Sequence, residues 1–558
     1  MKPYLVQNFL EESARRLPNK VALICEKERL TYLEIEEKAN RVAWVLRQLG
    51  VQRGDRVAIF LENSAESVIA MFAILKVDAI FIILSHSIKH QKLSYILNDC
   101  QVKALFSHTD RLEVVSAVSG SVPSLKFVIV AGDKDKIPKG LPTHLSWNEI
   151  DSFSSPCASR LAPCEHIDID SETQHSALNT QNLTLNTLHP TPYTHCSNID
   201  IDLATIIYTS GSTGKPKGVM LTHLNMVSAA TSIISYLENR EDDIILNTLP
   251  LSFDYGLYQV LMAFKFGGTV VLERTFSYPY QIIQKIVHEK VTGFPGVPTI
   301  YAILLSLKDL NSFDFSNLRY LTNTAAALPP VHIEKLRKIF PHVRIYSMYG
   351  LTECKRVSYL PPEELDRRPG SVGRGMPNEE VWIVDENGNR VGPGIVGELA
   401  VRGSNVMRGY WGLPEETARV LRPGKYPGER VLYTGDLFKM DEEGFLYFVG
   451  RKDDMFKTKG KLVSPKEVEE CLCSLEGVSA AAVIGIPDEV LGNAILAYVC
   501  SDREDMTEKD VLKHCLCNLE DHLIPQMIQF VSSLPQTSNA KIDKLALRHA
   551  NDEAAQKD

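Results

Sequence analysis

The chain has 558 residues, of which 44% are hydrophobic and 23% charged, and its formal net charge is −9. At about 100–200 residues per domain, this length predicts several folding units. The composition is that of a globular chain, which excludes disorder throughout and a fibrous repeat. The mild acidity argues against nucleic acid as the main partner, because nothing global attracts a phosphate backbone.

Neither a membrane span nor a signal peptide is predicted. The most apolar run, 78–85, is far shorter than the roughly 18 residues that a bilayer span requires, and it reads as a buried strand. The segment 1–16 carries two glutamates and lacks an apolar core of signal-peptide type. We therefore expect a cytoplasmic protein without a membrane partner.

The cysteines favour reduced thiols. There are 11 of them, an odd number without framework spacing. Two Cys-Leu-Cys pairs, Cys471/Cys473 and Cys515/Cys517, raise the alternative of a metal site. A two-residue step along a helix directs side chains to different faces, so buried cysteine is the favoured interpretation.

Short apolar runs alternate with helix-length amphipathic segments between about residues 56 and 350. This alternation predicts a parallel sheet covered by helices on both faces. The predicted strands are 56–61, 126–130, 204–208, 243–246, 269–272 and 343–346. The predicted helices are 64–76, 222–237, 279–290 and 329–340.

The pattern changes after about residue 378. Two alternating runs flank an Asn-Gly turn, and a further turn and strand follow, which predicts an antiparallel sheet or small barrel over 378–449. The last hundred residues predict a small α+β domain. The runs behind these predictions are 380–385, 397–402 and 442–448, then helices 465–475 and 508–519 and strands 478–486 and 495–499.

A segment of different composition, 152–198, is rich in Ser, Thr, Asn, Pro and His and has little periodicity. Such composition indicates a loop or a partly disordered insertion. We interpret it as a surface insertion without a catalytic role.

The most informative run is 208–218, Tyr-Thr-Ser-Gly-Ser-Thr-Gly-Lys-Pro-Lys-Gly, between a predicted strand and a predicted helix. Glycines allow backbone N–H groups to approach an anion, hydroxyl side chains add donors, and Lys217 adds charge. The run therefore predicts a phosphate-binding loop. Its candidate contacts are Thr209, Ser210, Gly211, Ser212, Thr213, Gly214 and Lys217.

Two commoner motifs are excluded for this loop. A Walker A motif needs four residues between its glycines, whereas Gly211 and Gly214 enclose two and Lys215 is followed by proline. A serine-nucleophile elbow needs Gly-x-Ser-x-Gly, which does not occur there.

The loop resembles the signature of the ANL superfamily of adenylate-forming enzymes, which contains acyl-CoA synthetases, adenylation domains of peptide synthetases and luciferases. Further family motifs follow in order across nearly the whole chain. They are Tyr349-Gly-Leu-Thr-Glu353, Tyr433-Thr-Gly-Asp436, Gly450-Arg-Lys-Asp-Asp454 and Lys541. The resemblance implies ATP-dependent transfer of AMP onto a carboxylic acid, release of pyrophosphate, and thioester formation.

The resemblance also implies an α/β fold class. The N-terminal region, 1–449, would contain two αβαβα-type subdomains and a small β-barrel. A hinge at 450–454 would precede a small mobile α+β domain, 455–558.

The family chemistry needs cations, because charge builds up at the α-phosphate while a carboxylate is activated. The resemblance implies that Glu353 binds Mg²⁺, Thr352 contacts a phosphate oxygen, and Lys541 bridges the substrate carboxylate and the α-phosphate. Tyr349 would stack on adenine, and Asp436 would accept from the ribose hydroxyls. The remaining nucleotide contacts would be Gly350, Thr324, Ala325, Ala326 and Arg451.

The second half-reaction would follow a rotation of the C-terminal domain. The resemblance implies that Asp453 is the hinge residue and that Gly460, in the 457–460 loop, lets a narrow thiol arm pass. One departure concerns Ala540, which stands where the family usually has glycine before the tail lysine. If that residue needs a positive φ, alanine would cost about 1 kcal/mol or more.

The predicted substrate pocket begins at Asp254 in the run Ser-Phe-Asp-Tyr-Gly-Leu-Tyr-Gln. Amino-acid-activating members of the family carry aspartate here, to pair with the substrate ammonium. A buried carboxylate without a cation is costly, so Asp254 argues for an aminated substrate. The alternative is an aspartate that caps the helix N-terminus.

The pocket walls predict a small substrate. Tyr255 and Tyr258 would crowd the pocket and leave no room for a long fatty chain. The other predicted wall residues are Pro295, Thr322, Thr324, Met348 and Val357.

The acceptor is predicted to be a peptidyl carrier protein in trans. The segment 352–359 resembles the stand-alone ligases that load L-proline onto such a carrier in pyrrole and alkaloid pathways. A basic cluster could dock an acidic carrier, or it could be a solvated face. Its members are Arg451, Lys452, Lys457, Lys459, Lys461 and Lys466.

Two rival functions stay open at this point. The first is an acyl-CoA or aryl-CoA synthetase, which uses the same adenylation step with coenzyme A as acceptor. The second is a catalytically silent binding protein, which loss of the motif lysines or Glu353 would have favoured; only Ala540 speaks for it.

Overall fold

The computed structural model describes residues 4–137, 141–152, 197–209, 215–324, 328–458, 461–488, 491–503, 505–537 and 542–555. The chain divides into two compact units, Met1–Thr205 and Ile206–Asp558. Nearly all of the insertion predicted at 152–198 lies outside the described residues.

The first unit is built around parallel strands in the order β8-β4-β3-β5-β6-β7. Strands β3 and β4 are almost entirely buried, as expected for sheet covered on both faces. The elements are α1 (Asn8–Arg16), β1 (Val21–Cys25), β2 (Glu28–Thr31), α2 (Tyr32–Gln48), β3 (Arg56–Phe60), α3 (Ala65–Lys76), β4 (Ile80–Ile83), α4 (His90–Asp99), β5 (Ala104–His108), α5 (Leu112–Ser119), β6 (Phe127–Ala131), β7 (Thr143–Ser146), α6 (Trp147–Ser152) and the beginning of β8 (Leu203–Thr209).

Local sequence explains how the first helices begin. Thr31 and Glu34 form a capping box at α2, in which each side chain accepts a hydrogen bond from the other residue's backbone N–H. Ser64 caps α3 by accepting from Ser67 N–H. Helix α3 is apolar around most of its circumference and is buried accordingly.

The second unit contains the parallel strands β11-β10-β12-β13-β14, which continue through antiparallel pairs into β15-β16-β22-β21-β18-β17. Its elements up to the predicted hinge are β9 (Lys217–Thr222), α7 (His223–Leu237), β10 (Ile244–Asn247), α8 (Asp254–Phe266), β11 (Thr269–Leu272), α9 (Pro279–His288), β12 (Gly293–Gly296), α10 (Pro298–Ser306), β13 (Tyr320–Asn323), α11 (Pro330–Ile339), β14 (Arg344–Tyr349), β15 (Ser358–Leu360), β16 (Ser371–Gly375), β17 (Glu379–Val384), β18 (Gly397–Gly403), β19 (Gly409–Tyr410), α12 (Pro414–Val420), β20 (Leu421–Pro423), β21 (Arg430–Met440) and β22 (Leu446–Arg451).

The C-terminal part of this unit has its own sheet, β25-β26-β27, with an apolar cluster on each face. Alternate residues face opposite clusters, as the two-residue period of a strand requires: Val483 and Ile495 join one, Ile484 and Leu496 the other. The elements are β23 (Phe456–Thr458), β24 (Lys461–Val463), α13 (Pro465–Ser474), β25 (Val478–Asp488), β26 (Gly492–Ser501), α14 (Glu508–Asn518), β27 (Met527–Phe530) and α15 (Lys544–Ala555).

The α/β fold class is confirmed, and the predicted strands and helices are found with small shifts at their ends. Antiparallel strands occupy the region 378–449, as predicted. The three-part division at 449 and 454 stays a prediction. Within the described residues, no helix is both long enough and apolar enough to cross a membrane.

Candidate active site

The carboxyl ends of parallel strands β13 and β14 form one edge of the second unit's sheet. The two strands pair in register, with Thr322 opposite Tyr346 and Asn323 opposite Ser347. Thr324 and Tyr349 therefore emerge at the same edge. Ligands of open α/β sheets bind at such carboxyl ends.

The predicted nucleotide residues Tyr349, Asp436 and Arg451 lie together. The Tyr349 hydroxyl donates a hydrogen bond of 2.5 Å to Asp436 Oδ2, and Arg451 Nε lies 3.0 Å from Asp436 Oδ1. Asp436 and Arg451 face each other across β21 and β22. The Tyr349 ring packs edge-on against Phe438, with 4.8 Å between centroids. The Asp436 carboxylate is thus fixed in orientation, as a ribose acceptor must be.

Burial and the neighbouring Asp436 carboxylate hold the pKa of Tyr349 well above its usual range. The phenol is therefore a hydrogen-bond donor at neutral pH. It uses that donor on Asp436, while the carboxylate keeps further lone pairs for other partners.

The predicted metal residue Glu353 is held by Tyr410, whose hydroxyl donates a hydrogen bond of 2.8 Å to Glu353 Oε1. The backbone N–H of Met407 also donates to the Glu353 carbonyl at 2.6 Å. Strand β19 carries Tyr410 beside β9, opposite Val219. Sequence reasoning missed Tyr410, because its partner is distant along the chain.

The base of the predicted phosphate-binding loop is closed by Thr209 Oγ1, which donates to the Lys217 carbonyl at 3.5 Å. The Lys217 side chain pairs with Glu416, with 2.8 Å between Nζ and Oε2, and lies 5.4 Å from the centre of the Tyr410 ring. Sequence reasoning also missed Glu416. This carboxylate forms an ion pair with Lys217, the lysine that is expected to face a phosphate.

Several predicted site residues lie outside the described part of the chain. They are Ser210, Gly211, Ser212, Thr213 and Gly214 of the loop, Ala325 and Ala326, Gly460, and Lys541 with the preceding Ala540. Their predicted roles stay predictions.

The predicted substrate pocket is assembled around Tyr255. Its hydroxyl lies 2.6 Å from Thr322 Oγ1 and donates to the Thr322 carbonyl at 2.8 Å. Pro295 lies beside Thr322 in the neighbouring strand. Tyr258 is 1% exposed. The remaining predicted wall residues, Thr324, Met348 and Val357, are buried.

The expectation that Asp254 is a buried carboxylate without a cation in the protein is wrong. Asp254 does have a cationic partner inside the protein, since Lys355 Nζ lies 3.4 Å from Asp254 Oδ2 and both side chains are buried. The alternative of an N-cap aspartate also fails, because Phe253 is the N-cap and Asp254 is the first residue of α8. Burial of Asp254 alone therefore does not require an aminated substrate.

The ammonium of Lys355 also lies over two aromatic rings, 4.6 Å from the centre of Tyr258 and 5.3 Å from that of Tyr255. Burial lowers the pKa of Lys355 to about 7, against the opposing pull of Asp254 and with the help of Arg356.

The backbone that carries Lys355 is constrained. Lys355 has a φ of 65°, in the left-handed region that non-glycine residues rarely adopt. The Asn405 side chain donates to the carbonyls of Cys354 and Arg356, at 2.7 and 3.1 Å. Gly350 approaches so closely that a Cβ there would lie 2.4 Å from the Lys355 carbonyl.

Arg356 is a second buried cation that sequence reasoning missed. Its side chain is among the largest that are fully buried, and its Nε and Nη1 atoms have no hydrogen-bond partner among the described residues. Its guanidinium lies 5.3 Å from the centre of the Tyr255 ring. The signal available in the sequence was the pair of adjacent cations, Lys355 and Arg356, shortly after Thr352 and Glu353.

The basic cluster is partly engaged within the protein. Lys452 lies 3.6 Å from Glu398, and Lys466 donates to the Phe448 carbonyl at 2.9 Å. Lys457 and Lys461 are exposed. Lys459 lies outside the described residues.

The predicted hinge residue Asp453 is exposed in a turn, and Arg548 Nη2 of α15 reaches the adjacent Asp454 at 3.4 Å. Cys471 and Cys515 belong to the apolar cluster of the C-terminal sheet. Among the described residues, no group of three His, Cys, Asp or Glu side chains is arranged to hold a metal ion.

Comparison with known proteins decides the family. Residues 10–411 match the AMP-binding enzymes, and residues 467–541 match the AMP-binding enzyme C-terminal domain. The chain belongs to the AMP-binding enzyme family. It is an adenylate-forming ligase of the acid–thiol type.

Three relatives show the breadth of this AMP-binding family. A long-chain-fatty-acid–CoA ligase of Bacillus subtilis (strain 168) is 31% identical over 96% of this chain and 93% of its own length. Gramicidin S synthase 2 of Brevibacillus brevis is 28% identical over 97% of this chain and 11% of its own length. The structure of the anthranilate CoA ligase AuaEII with anthranoyl-AMP superposes with a TM-score of 0.84, at 27% identity, over 99% of this chain and 98% of that one.

Proposed function

We propose that this enzyme adenylates a small amino acid, with proline as the first candidate, and passes it as a thioester to a separate peptidyl carrier protein. The observation that carries the amino-acid part is the Asp254 carboxylate, which is buried at the first position of α8, next to Tyr255. A carboxylate beside two aromatic faces is chemically suited to bind an ammonium group. The proposal is that a substrate ammonium uses the same carboxylate.

The walls support a small substrate. Tyr255 and Tyr258 are each 1% exposed, and the Tyr255 hydroxyl is anchored to Thr322. Anchored rings of this size leave little volume beside Asp254. A compact side chain such as the proline ring fits this restriction better than a long alkyl chain does.

The nucleotide end supports ATP with Mg²⁺. A magnesium ion usually keeps several waters and takes one or two carboxylates together with substrate phosphates. Glu353, held by Tyr410, offers one such carboxylate. When bound, the ion would neutralise charge at the phosphates, with Thr352 and Lys217 as further contacts.

The same proposal gives roles to residues of the C-terminal part. Lys541 would meet the substrate carboxylate and the α-phosphate during adenylation, and Asp453 would be the hinge. Gly460 would line the path of the phosphopantetheine arm. The exposed Lys457 and Lys461 are candidates for contacts with an acidic carrier.

An acyl-CoA or aryl-CoA synthetase is the second candidate function. Two observations favour it: Asp254 is neutralised by Lys355 without any substrate, and the B. subtilis and AuaEII relatives are named as CoA ligases. In this case the acceptor would be coenzyme A, and the acid would carry no α-ammonium group.

ATP–pyrophosphate exchange with a panel of amino acids, aryl acids and fatty acids separates these two functions. We expect exchange with small amino acids, and we expect Asp254→Asn to abolish it while ATP binding persists. Asp242→Asn, an exposed aspartate on the same unit, is the matched control. Exchange only with non-aminated acids would contradict the amino-acid proposal.

The acceptor needs its own assay. Radiolabelled acid is offered with ATP and either a phosphopantetheinylated carrier protein or coenzyme A. We expect label on the carrier protein, and label found only on coenzyme A would contradict that half of the proposal.

A further inference from the structure

A cavity of about 220 Å³ lies at the amino ends of strands β13 and β14. Tyr320 and Arg344, the first residues of these two parallel strands, both line it and lie opposite each other in the sheet. The candidate active site lies at the carboxyl ends of the same strands, near Thr324 and Tyr349. The cavity is therefore a separate site at the opposite edge of the sheet.

The ionisable side chains that line the cavity are basic or phenolic. Among the described residues no carboxylate lines it, whereas four bases do: Arg240, Arg319, Arg344 and His342. A guanidinium keeps its charge in a protein and presents N–H groups in a fork that matches the oxygens of a phosphate or a carboxylate. The three arginines come from three separate segments, which follow α7, precede β13 and begin β14. A lining of this kind favours an anion.

The partners that these arginines have within the protein leave room for a ligand. Arg319 forms an ion pair with Asp243, which is fully buried, so this arginine is committed to the fold. Arg344 pairs with Glu238 at 2.7 Å, but the two side chains are 42% and 54% exposed, and ion pairs so exposed are weak. Arg240 is exposed, and it contacts Asp243 through its backbone N–H. Arg344 and Arg240 can therefore turn to an incoming anion.

The Tyr346 hydroxyl is a buried hydrogen-bond donor without an acceptor. Tyr346 lines the cavity and is 1% exposed, and its hydroxyl has no hydrogen-bond partner within the described part of the chain. Buried hydroxyls are normally paired, so an orphaned one indicates a place for a ligand or a water molecule. Burial raises the pKa of Tyr346 to about 12, which keeps the phenol protonated at neutral pH. The Arg344 guanidinium lies 5.6 Å from the centre of the same ring, so a cation and a neutral donor share this wall.

The rest of the lining is apolar and limits the size of the ligand. Leu237 and Leu318 contribute to it, and the Tyr320 and Tyr346 rings pack edge to face with 6.5 Å between their centroids. Pockets for drug-sized ligands occupy roughly 300–1,000 Å³, so a cavity of about 220 Å³ suits a smaller molecule. These features fit a small organic anion with a compact apolar body.

We propose that this cavity binds a small phosphorylated metabolite, whose phosphate accepts hydrogen bonds from Arg344, Arg240 and the Tyr346 hydroxyl. A phosphate is favoured over a carboxylate because its oxygens point in several directions, toward donors that arrive from separate segments, whereas a carboxylate has two oxygens in one plane. The bound phosphate takes the place of Glu238 beside Arg344. The site goes beyond the proposed function and uses no residue that is assigned to the reaction.

The test is calorimetric titration of the full chain with phenyl phosphate, for the wild-type protein, Arg344→Gln and Tyr346→Phe. We expect Arg344→Gln to weaken binding about tenfold or more, because it removes a charged donor to the phosphate. Tyr346→Phe removes one hydroxyl and keeps the ring, so we expect a several-fold loss, and this variant decides the matter if Arg344→Gln does not fold.

Arg390→Gln is the matched control. Arg390 is 61% exposed, pairs with Glu380 at 2.9 Å and lies 4.1 Å from the centre of the Trp382 ring, which resembles the setting of Arg344. We expect its affinity for phenyl phosphate to equal that of the wild-type protein. Phenyl phosphate bound at the nucleotide site would be insensitive to all three substitutions, so equal affinities throughout, or no binding at all, would overturn the proposal. Tighter binding of benzoate than of phenyl phosphate would overturn the choice of phosphate.

Discussion

The hydroxyl of Tyr410 donates a hydrogen bond of 2.8 Å to Glu353 Oε1 across 57 positions of sequence. Burial and the Glu353 charge raise the pKa of Tyr410, which keeps this phenol a donor at neutral pH. The hydrogen bond orients the carboxylate that is proposed to bind Mg²⁺. It therefore gives Tyr410 a role that no motif in the sequence indicates.

Tyr410→Phe removes this donor while keeping the ring. A hydrogen bond to a charged group contributes about 1.5–3 kcal/mol, so we expect the KM for Mg-ATP to rise about tenfold or more. Tyr426→Phe, at a tyrosine that is 58% exposed, is the control. Equal KM values for the two variants in a titration with Mg-ATP would contradict a role for Tyr410 in nucleotide binding.

Nucleotide binding should be sensitive to the loss of the Asp436 carboxylate charge. Asp436→Asn keeps the size but weakens the acceptor for Tyr349, Arg451 and the proposed ribose hydroxyls. We expect weaker binding of ATP and AMP, with pyrophosphate exchange recovered in part at high ATP. The measurement is calorimetric titration with AMP, and unchanged affinity would exclude Asp436 from the nucleotide site.

Lys76 in the first unit should stabilise the folded state through its ion pairs. It is 6% exposed and contacts Glu11 and Glu36 at 2.9 and 2.7 Å. Lys76→Met leaves both carboxylates without their cation, so we expect a loss of about 3–5 kcal/mol in urea denaturation. Lys103→Met removes a more exposed pair with Asp55 and should cost at most about 1 kcal/mol. Equal losses would contradict this assignment.

The pH dependence of stability follows from the Lys76 cluster. Lys76 lowers the pKa of Glu11, so this contribution is present above the ordinary glutamate pKa and is lost as pH falls through the folded-state value. The two carboxylates raise the pKa of Lys76, so its contribution is lost only at strongly alkaline pH. Acid titration of Lys76→Met should lack the loss of unfolding free energy that the wild-type protein shows below the ordinary glutamate pKa.

Lys355 should give a pH dependence opposite to that of Lys76. Its folded pKa of about 7 lies below its ordinary value of 10.5, so the folded state binds fewer protons than the unfolded state between these values. The free energy of unfolding should therefore rise as pH increases between these two pKa values, by at most about 1.4 kcal/mol per pH unit. The double variant Asp254→Asn/Lys355→Met should lack this rise in urea denaturation at pH 7 and 9. The same slope in both proteins would contradict the low pKa.

The fold was largely predictable from local pattern. The apolar runs of β3 and β4 are buried as predicted, because sheet covered on both faces needs continuous apolar strands. The proximity of Tyr349, Asp436 and Arg451 was predictable as well, through motifs whose order matches the family, whereas their role in nucleotide binding stays a prediction. The role of Lys541 stays a prediction, since it lies outside the described residues.

The sequence by itself determined the family and the order of most of the elements. Only the tertiary structure decided which charges meet: Lys355 lies 101 positions from Asp254, and Glu416 lies 199 positions from Lys217. Secondary structure depends on neighbours a few residues apart, which a sequence displays directly. Neutralisation of a buried charge depends on whichever side chain the folded chain brings within a few ångströms, and sequence spacing does not record that distance.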